Sequence, residues 1–534
     1  MKNFKEKATK SSNGITLIAL VITIIVLLIL AGISISMLSG ENSILKRAGD
    51  AKDFTIVGQE QDQVELAYIS ALANKQNTDI TKAELQPELD ALVGNDKTLA
   101  TGINTLNVHF YDTNHNYSIV NGSAKRIADG EVEDIPSEIF VALYNNGTLV
   151  FSNNEEDIDS SKVDENYGDI SNISINYPWW GNTEITKVTI LNKIMPVTTS
   201  NLFSGLRNVT EIENISNINT SNVVDMSYMF DTCENLTSID VSSFDTSNVT
   251  NFDGLFQGCS KLTSLNLNNF DTSKATIMSR MFHSCSDLTT LNINSFNTNN
   301  ATDIQQMFYD CSKLTSINVS SFNTSNVTSM NAMFQGCSSL TTLNLSNFNT
   351  TQVVHMEGMF SNCSSLTSLN LSSFNTSKVN YMTSMFSGCS SLTTLNLSNF
   401  NTSNVNDMMS MFENCSSLES VNLRSFNTEN VDEMRGMFRD CSSLTTLDLS
   451  SFNTSNVADI SWIFYNCSSL TTIYVTDAFI TTHITSSLKH KAMFSNCTSL
   501  VGGNGTTYNS SYTNKTYARI DTNSTPGYFT LATN

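Results

Sequence analysis

The chain has little positive charge: across 534 residues it carries 28 Lys and Arg against 50 Asp and Glu, a formal charge of −22. Holding a phosphate backbone takes clustered cations, so this balance excludes nucleic acid as a partner. Histidine is scarce and scattered, at His109, His115, His283, His355, His483 and His490. No Cys-x-x-Cys or His/Cys spacing suits a metal, and no Ser/His/Asp arrangement stands out from the serine-rich background. Catalytic residues, metal ligands and a cofactor are therefore all expected to be none, and the protein is not expected to be an enzyme. After residue 38 no second long apolar run follows, and before residue 233 there is no cysteine. Even so, 40% of the residues are hydrophobic, enough for a real core in a chain of this length.

That hydrophobic content is strictly periodic. Ten cysteines, from Cys233 through Cys259, Cys285 and so on to Cys467, follow one another at intervals of 26 residues. Phenylalanine keeps the same beat in two registers, Phe230 to Phe464 with Phe494 added, and Phe244 to Phe452. A fixed period of this size is the mark of a solenoid, whose units bury their apolar faces only by stacking on neighbours.

One unit runs Leu340-x-x-Leu343-x-Leu345-x-x-Phe348-Asn349-Thr350, then Val353, Met356, Met359-Phe360 and Cys363. The Leu-x-x-Leu-x-Leu half alternates like a short strand with Leu343 and Leu345 facing in. The spacing of Val353, Met356, Met359 and Phe360 places them on one helical face, with Thr350 as N-cap. The residue before each cysteine is mostly Gly, Asn or Asp, which tolerate the left-handed conformation that closes a helix. The fold class is thus an α/β repeat solenoid of one short strand plus a helix or turn per unit. A strand spacing of ~4.8 Å set against a helix width of ~10 Å bends the stack with its strands inside. The cysteines all point into this core, as small buried hydrophobes rather than disulfides.

Residues 202–534, with phrases such as Phe322-Asn323-Thr324-Ser325-Asn326-Val327 through Met330, Met333-Phe334 and Cys337-Ser338-Ser339-Leu340, resemble the BspA-type leucine-rich-repeat surface proteins. That resemblance implies a leucine-rich-repeat fold on a bacterial surface and an association with adhesion.

At the other end Lys2, Lys5, Lys7 and Lys10 precede Gly14 and an uncharged run from Ile15 to Leu38. At 1.5 Å per residue this run spans a hydrocarbon core of ~30 Å, and the lysines before it predict N-terminus in, C-terminus out. A basic leader ending in Gly14, followed by Ile15-Thr16-Leu17-Ile18, resembles type IV pilins and pilin-like proteins. The resemblance implies cleavage by a prepilin peptidase between Gly14 and Ile15. The fifth residue of the implied mature chain is Ala19, where that family usually carries Glu. An uncleaved signal anchor is the alternative reading.

The domain organisation read from these features is a leader at 1–14, a membrane and stalk helix at 15–75 and a small α+β head at 76–136. An N-terminal cap at 137–205, the solenoid at 206–500 and a C-terminal cap at 501–534 follow. The acidic stretch Glu155 to Asp159 reads as a solvated loop, because Lys162 stands where a calcium loop needs glycine. Together these features predict a cell-surface, single-pass membrane-anchored protein that binds a host or neighbouring-cell protein or glycan; a structural spacer or minor pilin-like component is the alternative. Along the strands Ser316, Asn318 and Ser320, then Thr342, Asn344 and Ser346, form a neutral ladder that reads as structural, through hydrogen bonds between stacked asparagines. That ladder breaks at Arg424, Asp448 and Tyr474, which are therefore the candidate ligand-binding residues.

Overall fold

The computed structural model describes residues 138–171 and 177–533 and, before them, helical and strand segments between 59 and 127. The membrane segment 15–38 and the leader junction at Gly14 and Ile15 lie outside the described residues. Among the described residues no helix is long and apolar enough to cross a membrane. Two compact units divide the chain, one up to Asp134 and one from Ile135.

In the first unit, helix α1 covers 59–68 and 70–71, and α2 spans Lys82–Val93. Strands β1 (Thr98–Thr101), β2 (Leu106–Phe110), β3 (His115–Val120) and β4 (Ser123–Ile127) form an antiparallel sheet in the order β1-β2-β3-β4. Val64, Ala67 and Ala71 recur at helical spacing, and that stripe is buried with Leu85, Leu89, Val108 and Tyr117. Inside this cluster the Tyr117 hydroxyl donates to Glu60 Oε2 at 2.8 Å. A buried carboxylate thereby gains the partner that burial demands.

The second unit opens with the hairpin of β5 (Phe140–Tyr144) and β6 (Thr148–Ser152), closed by Gly147 at φ +77°. A Cβ there would meet the Glu184 carbonyl oxygen at 2.5 Å, so the position requires glycine. β7 (Val163–Asp169) pairs antiparallel with β5, while β8 (Lys187–Ile190) and β9 (Glu211–Glu213) add in parallel beyond β6. The sheet thus changes from antiparallel to parallel as it approaches the repeats, and Trp179 and Phe151 seal the first rung. Their rings meet edge to face at 5.4 Å, and Phe151 meets Phe203, the foot of the phenylalanine stack, at 5.7 Å.

From Phe230 to Phe494 successive rings stack nearly parallel at 5.3–6.1 Å between centroids. Val353, Met356, Met359, Phe360 and Cys363 are all fully buried, as the periodicity requires. Short parallel strands pair in register one repeat apart: β10 (Ser264–Asn266) with β11 (Thr290–Asn292), β12 (Thr394–Asn396) with β13 (Ser420–Asn422), and β14 (Thr446–Asp448) with β15 (Thr472–Val475). Between residues 316 and 370 the equivalent positions are not assigned as strands.

The second half of each unit corrects the expectation of a helix: within the repeats it is a run of turns. Gly358, Phe360 and Asn362 send their N–H groups to Thr383, Met385 and Ser387 of the next rung at 2.6–3.0 Å. Alternate amides are thereby committed between rungs, which forbids the i to i−4 bonding of a helix. Ser361 and Cys363 close back on Gly358 and Phe360, and each rung turns twice through left-handed residues, here Gly358 at φ +59° and Asn362 at φ +58°. Three-residue spacing therefore produced inward-facing side chains without helical bonding. The curvature argument loses its premise too, because turns that bond rung to rung repeat as closely as strands do. Parallel bridges on the turn side run unbroken from Asp225 through His355 to Asp459, so the continuous spine lies there and not in the strands.

The threonine column is corrected in the same way. Thr350 is buried, and its hydroxyl donates to the Asn375 carbonyl at 2.8 Å and accepts from the Asn375 N–H at 2.7 Å. It cross-links two rungs instead of capping its own. All eleven cysteines are free and buried, and each thiol donates to the carbonyl of a phenylalanine in the preceding rung, as Cys363 does to Phe334 at 3.1 Å. They act as hydrogen-bond donors in an apolar core as well as small hydrophobes.

At the far end β16 (Phe529–Leu531) adds in parallel to β15, and Tyr528 and Phe529 meet Phe494 edge-on at 5.1 and 5.9 Å, which ends the ring stack. Burial alone would raise the Asp521 carboxyl, but the Thr506 hydroxyl and the N–H groups of Thr506, Asn504 and Gly527 outweigh it and hold its pKa below the ordinary value.

Candidate functional site

On the strand side of the repeats the asparagine columns have an internal task. Asn344 Oδ1 accepts from the Ser346 N–H at 3.1 Å, and Asn318, Asn370 and Asn396 repeat this bond in their own rungs. Asn347 Nδ2 reaches back to the carbonyls of Val319 and Phe322, and Thr289 Oγ1 to that of Thr263. The asparagine ladder is structural, yet chiefly through bonds from side chain to backbone and not between stacked amides; Asn318 to Asn294 at 2.7 Å is an exception.

Arg424, Asp448 and Tyr474 do come together on this side. Arg424 Nε donates to Asp448 Oδ2 at 3.0 Å, and Asp448 is the register partner of Tyr474. The Asp448 carboxylate also accepts from the Ser450 N–H. Although desolvation pushes the other way, the bonds from Ser450 and Arg424 hold its pKa below the usual carboxylate range. Arg424 and Asp448 thus satisfy one another, leaving Tyr474, about a third exposed, as the unengaged side chain of the three.

The turn side is different. Between residues 223 and 467 every Tyr, Trp and Arg except Arg424 falls in the segment from the bridge residue to the one before the second left-handed position. Some of these side chains occupy the first left-handed position itself: Tyr228 at φ +56°, Arg280 at φ +53° and Trp462 at φ +57°. Other rungs place Gly254, Gly358 or Gly436 there, which relieves the backbone. Bulky L-residues in this region cost roughly 1–2 kcal/mol each.

These side chains are held in defined arrangements. Arg280 grips Asp253 with two nitrogens at 3.0 and 2.7 Å, while the Tyr228 hydroxyl donates to the same carboxylate at 2.6 Å. His283 stacks on Tyr309 at 4.4 Å and His355 on Tyr381 at 5.5 Å. Further along, Arg439 faces Tyr465 at 5.4 Å and Lys491 Nζ lies 4.3 Å from the Trp462 ring centre. The sequence contained the signal for this face in the column-by-column differences between repeats, which break uniformity far more here than along the strands.

The acidic loop makes a 3₁₀ turn over Glu155–Asp157, and Lys162 pairs with Asp159 at 2.9 Å. Among the described residues no cluster of His, Cys, Asp and Glu can hold a metal ion.

Fold and surface together define a repeat solenoid of short parallel strands whose residue variation is concentrated on its turn side. The chain belongs to the family described as "Mycoplasma protein of unknown function, DUF285", whose model matches it three times, over residues 197–317, 303–394 and 386–508. A search of curated proteins finds no match. Among solved structures, a chain from the Toll–Spätzle complex, described as a molecular hub in Drosophila development and innate immunity, matches at 11% identity with a TM-score of 0.20. The match covers 72% of this chain and 66% of that one, and at that score it bears on neither fold nor function.

Proposed function

We propose that the protein is a non-enzymatic, membrane-anchored cell-surface binding module of the BspA-like kind, whose repeats present the turn side to a protein or glycan of a host or neighbouring cell. The observation that carries this is the retention of Tyr228, Arg280 and Trp462 in left-handed backbone positions that other rungs fill with glycine. Rungs with Gly254, Gly358 or Gly436 at this position build the same framework, so a spacer does not require bulky side chains there. Tyr, Trp and Arg, half-buried here, are also the residue types that dominate binding hot spots. The basic leader, the apolar run and the Gly14-Ile15 junction support anchoring at the N-terminus after cleavage by a prepilin peptidase.

The test is a screen of the full chain in detergent against host matrix proteins and glycans. Any binder found is then tried on two variants. Tyr228→Gly with Arg280→Ser and Trp462→Gly is expected to lose binding. Arg424→Ser with Asp448→Asn and Tyr474→Asn is expected to keep it. The opposite pattern moves the site to the strand side, and a screen with no binder favours the spacer.

A further inference from the structure

Within this excess of acid, three of the turn-side cations are matched. Arg280 is held by Asp253, Arg439 by Glu413 at 3.2 Å, and Lys489 by Asp459 at 2.9 Å with Glu433 at 4.0 Å. Two are not. Arg435 directs an Nη to the Met409 sulfur at 2.9 Å, and Lys491 faces the Trp462 ring; neither is bonded to a carboxylate among the described residues. Both side chains are exposed.

The rung ladder places these two in one column. Gly436 donates its N–H to the Ser461 carbonyl and Trp462 to the Lys491 carbonyl, so Arg435, Ser461 and Lys491 occupy equivalent positions on three successive rungs. At strand-like spacing the backbones of the two residues stand about 9–10 Å apart, with the short, buried Ser461 recessed between them. Trp462 lies in the next column between Gly436 and Ala492, the smallest neighbours available, and its ring is left half-buried. The acids beside this notch are already engaged: Asp459 accepts from the Ser461 N–H at 2.9 Å and from its hydroxyl at 2.6 Å and pairs with Lys489, which also faces Glu433.

We propose that Arg435, Trp462 and Lys491 form a docking site for an acidic segment of a partner protein, a carboxylate seating between the two cations and a neighbouring apolar side chain covering the indole. The proposal rests on the turn side being the binding face. A cation in contact with a sulfur or a ring forgoes the charge-assisted bond that an incoming carboxylate supplies. A chain with 50 acidic residues had ample means to neutralise both cations internally.

The probe is a fluorescein-labelled twelve-residue peptide of Glu and Asp with one central Leu, compared with its Gln/Asn counterpart on the full chain in detergent. Binding is read by anisotropy and, in a Trp180→Phe background where the fully buried Trp179 gives a constant signal, by the change in emission from Trp462. The acidic peptide is expected to bind, to perturb Trp462 and to weaken as salt is raised. Arg435→Ser with Lys491→Ser should weaken it at least about tenfold. Lys378→Ser, on a distant rung, should leave it unchanged. Equal binding by the amide peptide, equal binding to the double variant, or stronger binding of a polyanionic glycan such as heparin would overturn the proposal. If the acidic peptide fails while a screened partner still depends on Tyr228 and Arg280, this site falls and the turn-side reading stands.

Discussion

The two sides of the solenoid obey different rules although they share one core. On the strand side the asparagines, such as Asn344 and Asn347, are committed to bonds that the fold itself needs, and those residues repeat. On the turn side the backbone carries the rung-to-rung bonding, through the N–H groups of residues such as Gly358, Phe360 and Asn362. Many side chains there are released from structural duty and are free to differ. Uniformity in a repeat therefore marks internal hydrogen bonding, and variation marks the surface on which selection for a partner can act.

The sharpest way to break this contrast is to attack the core behind the turn side. Burial pushes the Cys285, Cys337 and Cys389 thiols up from the ordinary value of 9.0 to about 12. In the unfolded chain they ionise near the ordinary value; in the folded chain they stay neutral until about 12. The stabilisation is complete below pH 9.0 and is lost progressively as pH rises towards about 12. Urea unfolding under reducing conditions should therefore show a steep alkaline fall in midpoint, made shallower by Cys285→Ala with Cys337→Ala. Thiol counting without reductant should find no reactive groups in the native protein and all eleven after unfolding. Recovery of pairs resistant to labelling would refute the free ladder.

The sequence made the core and the period legible because burial depends on spacing, and spacing survives whether the backbone is helical or turned. Val353, Met356, Met359 and Phe360 are interior in either case. It did not reveal where the amides go, since one spacing of apolar residues serves both a helix bonded to itself and turns bonded to neighbours. The left-handed residue before each cysteine was legible from Gly, Asn and Asp. The one four residues earlier was hidden, because Tyr228, Arg280 and Trp462 give no local hint of positive φ. Arg424, Asp448 and Tyr474 were found as breaks in a uniform ladder, but the larger variation lay on the side read as a helix or turn.

A second prediction separates the two sides at the level of one hydrogen-bonding residue each. Thr350→Val keeps the shape and removes a hydroxyl that both donates to and accepts from Asn375 in the next rung. The hydroxyl is buried and both of its cross-rung bonds go at once, so the cost should be roughly 1–3 kcal/mol by denaturant titration. Asn344→Ala removes the acceptor for the Ser346 N–H at an exposed position, where water substitutes. Its cost should be about 0.5–1 kcal/mol. Equal costs would mean that the cross-rung threonines are no more central than the strand-side asparagines.

The smallest effect is expected where the strand side departs from its own pattern. Arg424 bonds Asp448 at 3.0 Å, but its side chain is 79% exposed, so attraction is weakened by solvent and offset by the entropy of fixing a long side chain. Arg424→Ser should change stability by less than ~1 kcal/mol, and less still in high salt. The Ser450 N–H continues to support the Asp448 carboxylate, whose pKa should rise only part of the way to the ordinary value when the guanidinium is gone. Carboxyl titration by NMR on the wild-type and Arg424→Ser chains measures that rise. A full return to the ordinary value would show that Arg424 alone held the charge. A destabilisation of several kcal/mol would mean that the pair is a structural clasp, and its claim as a binding site would weaken accordingly.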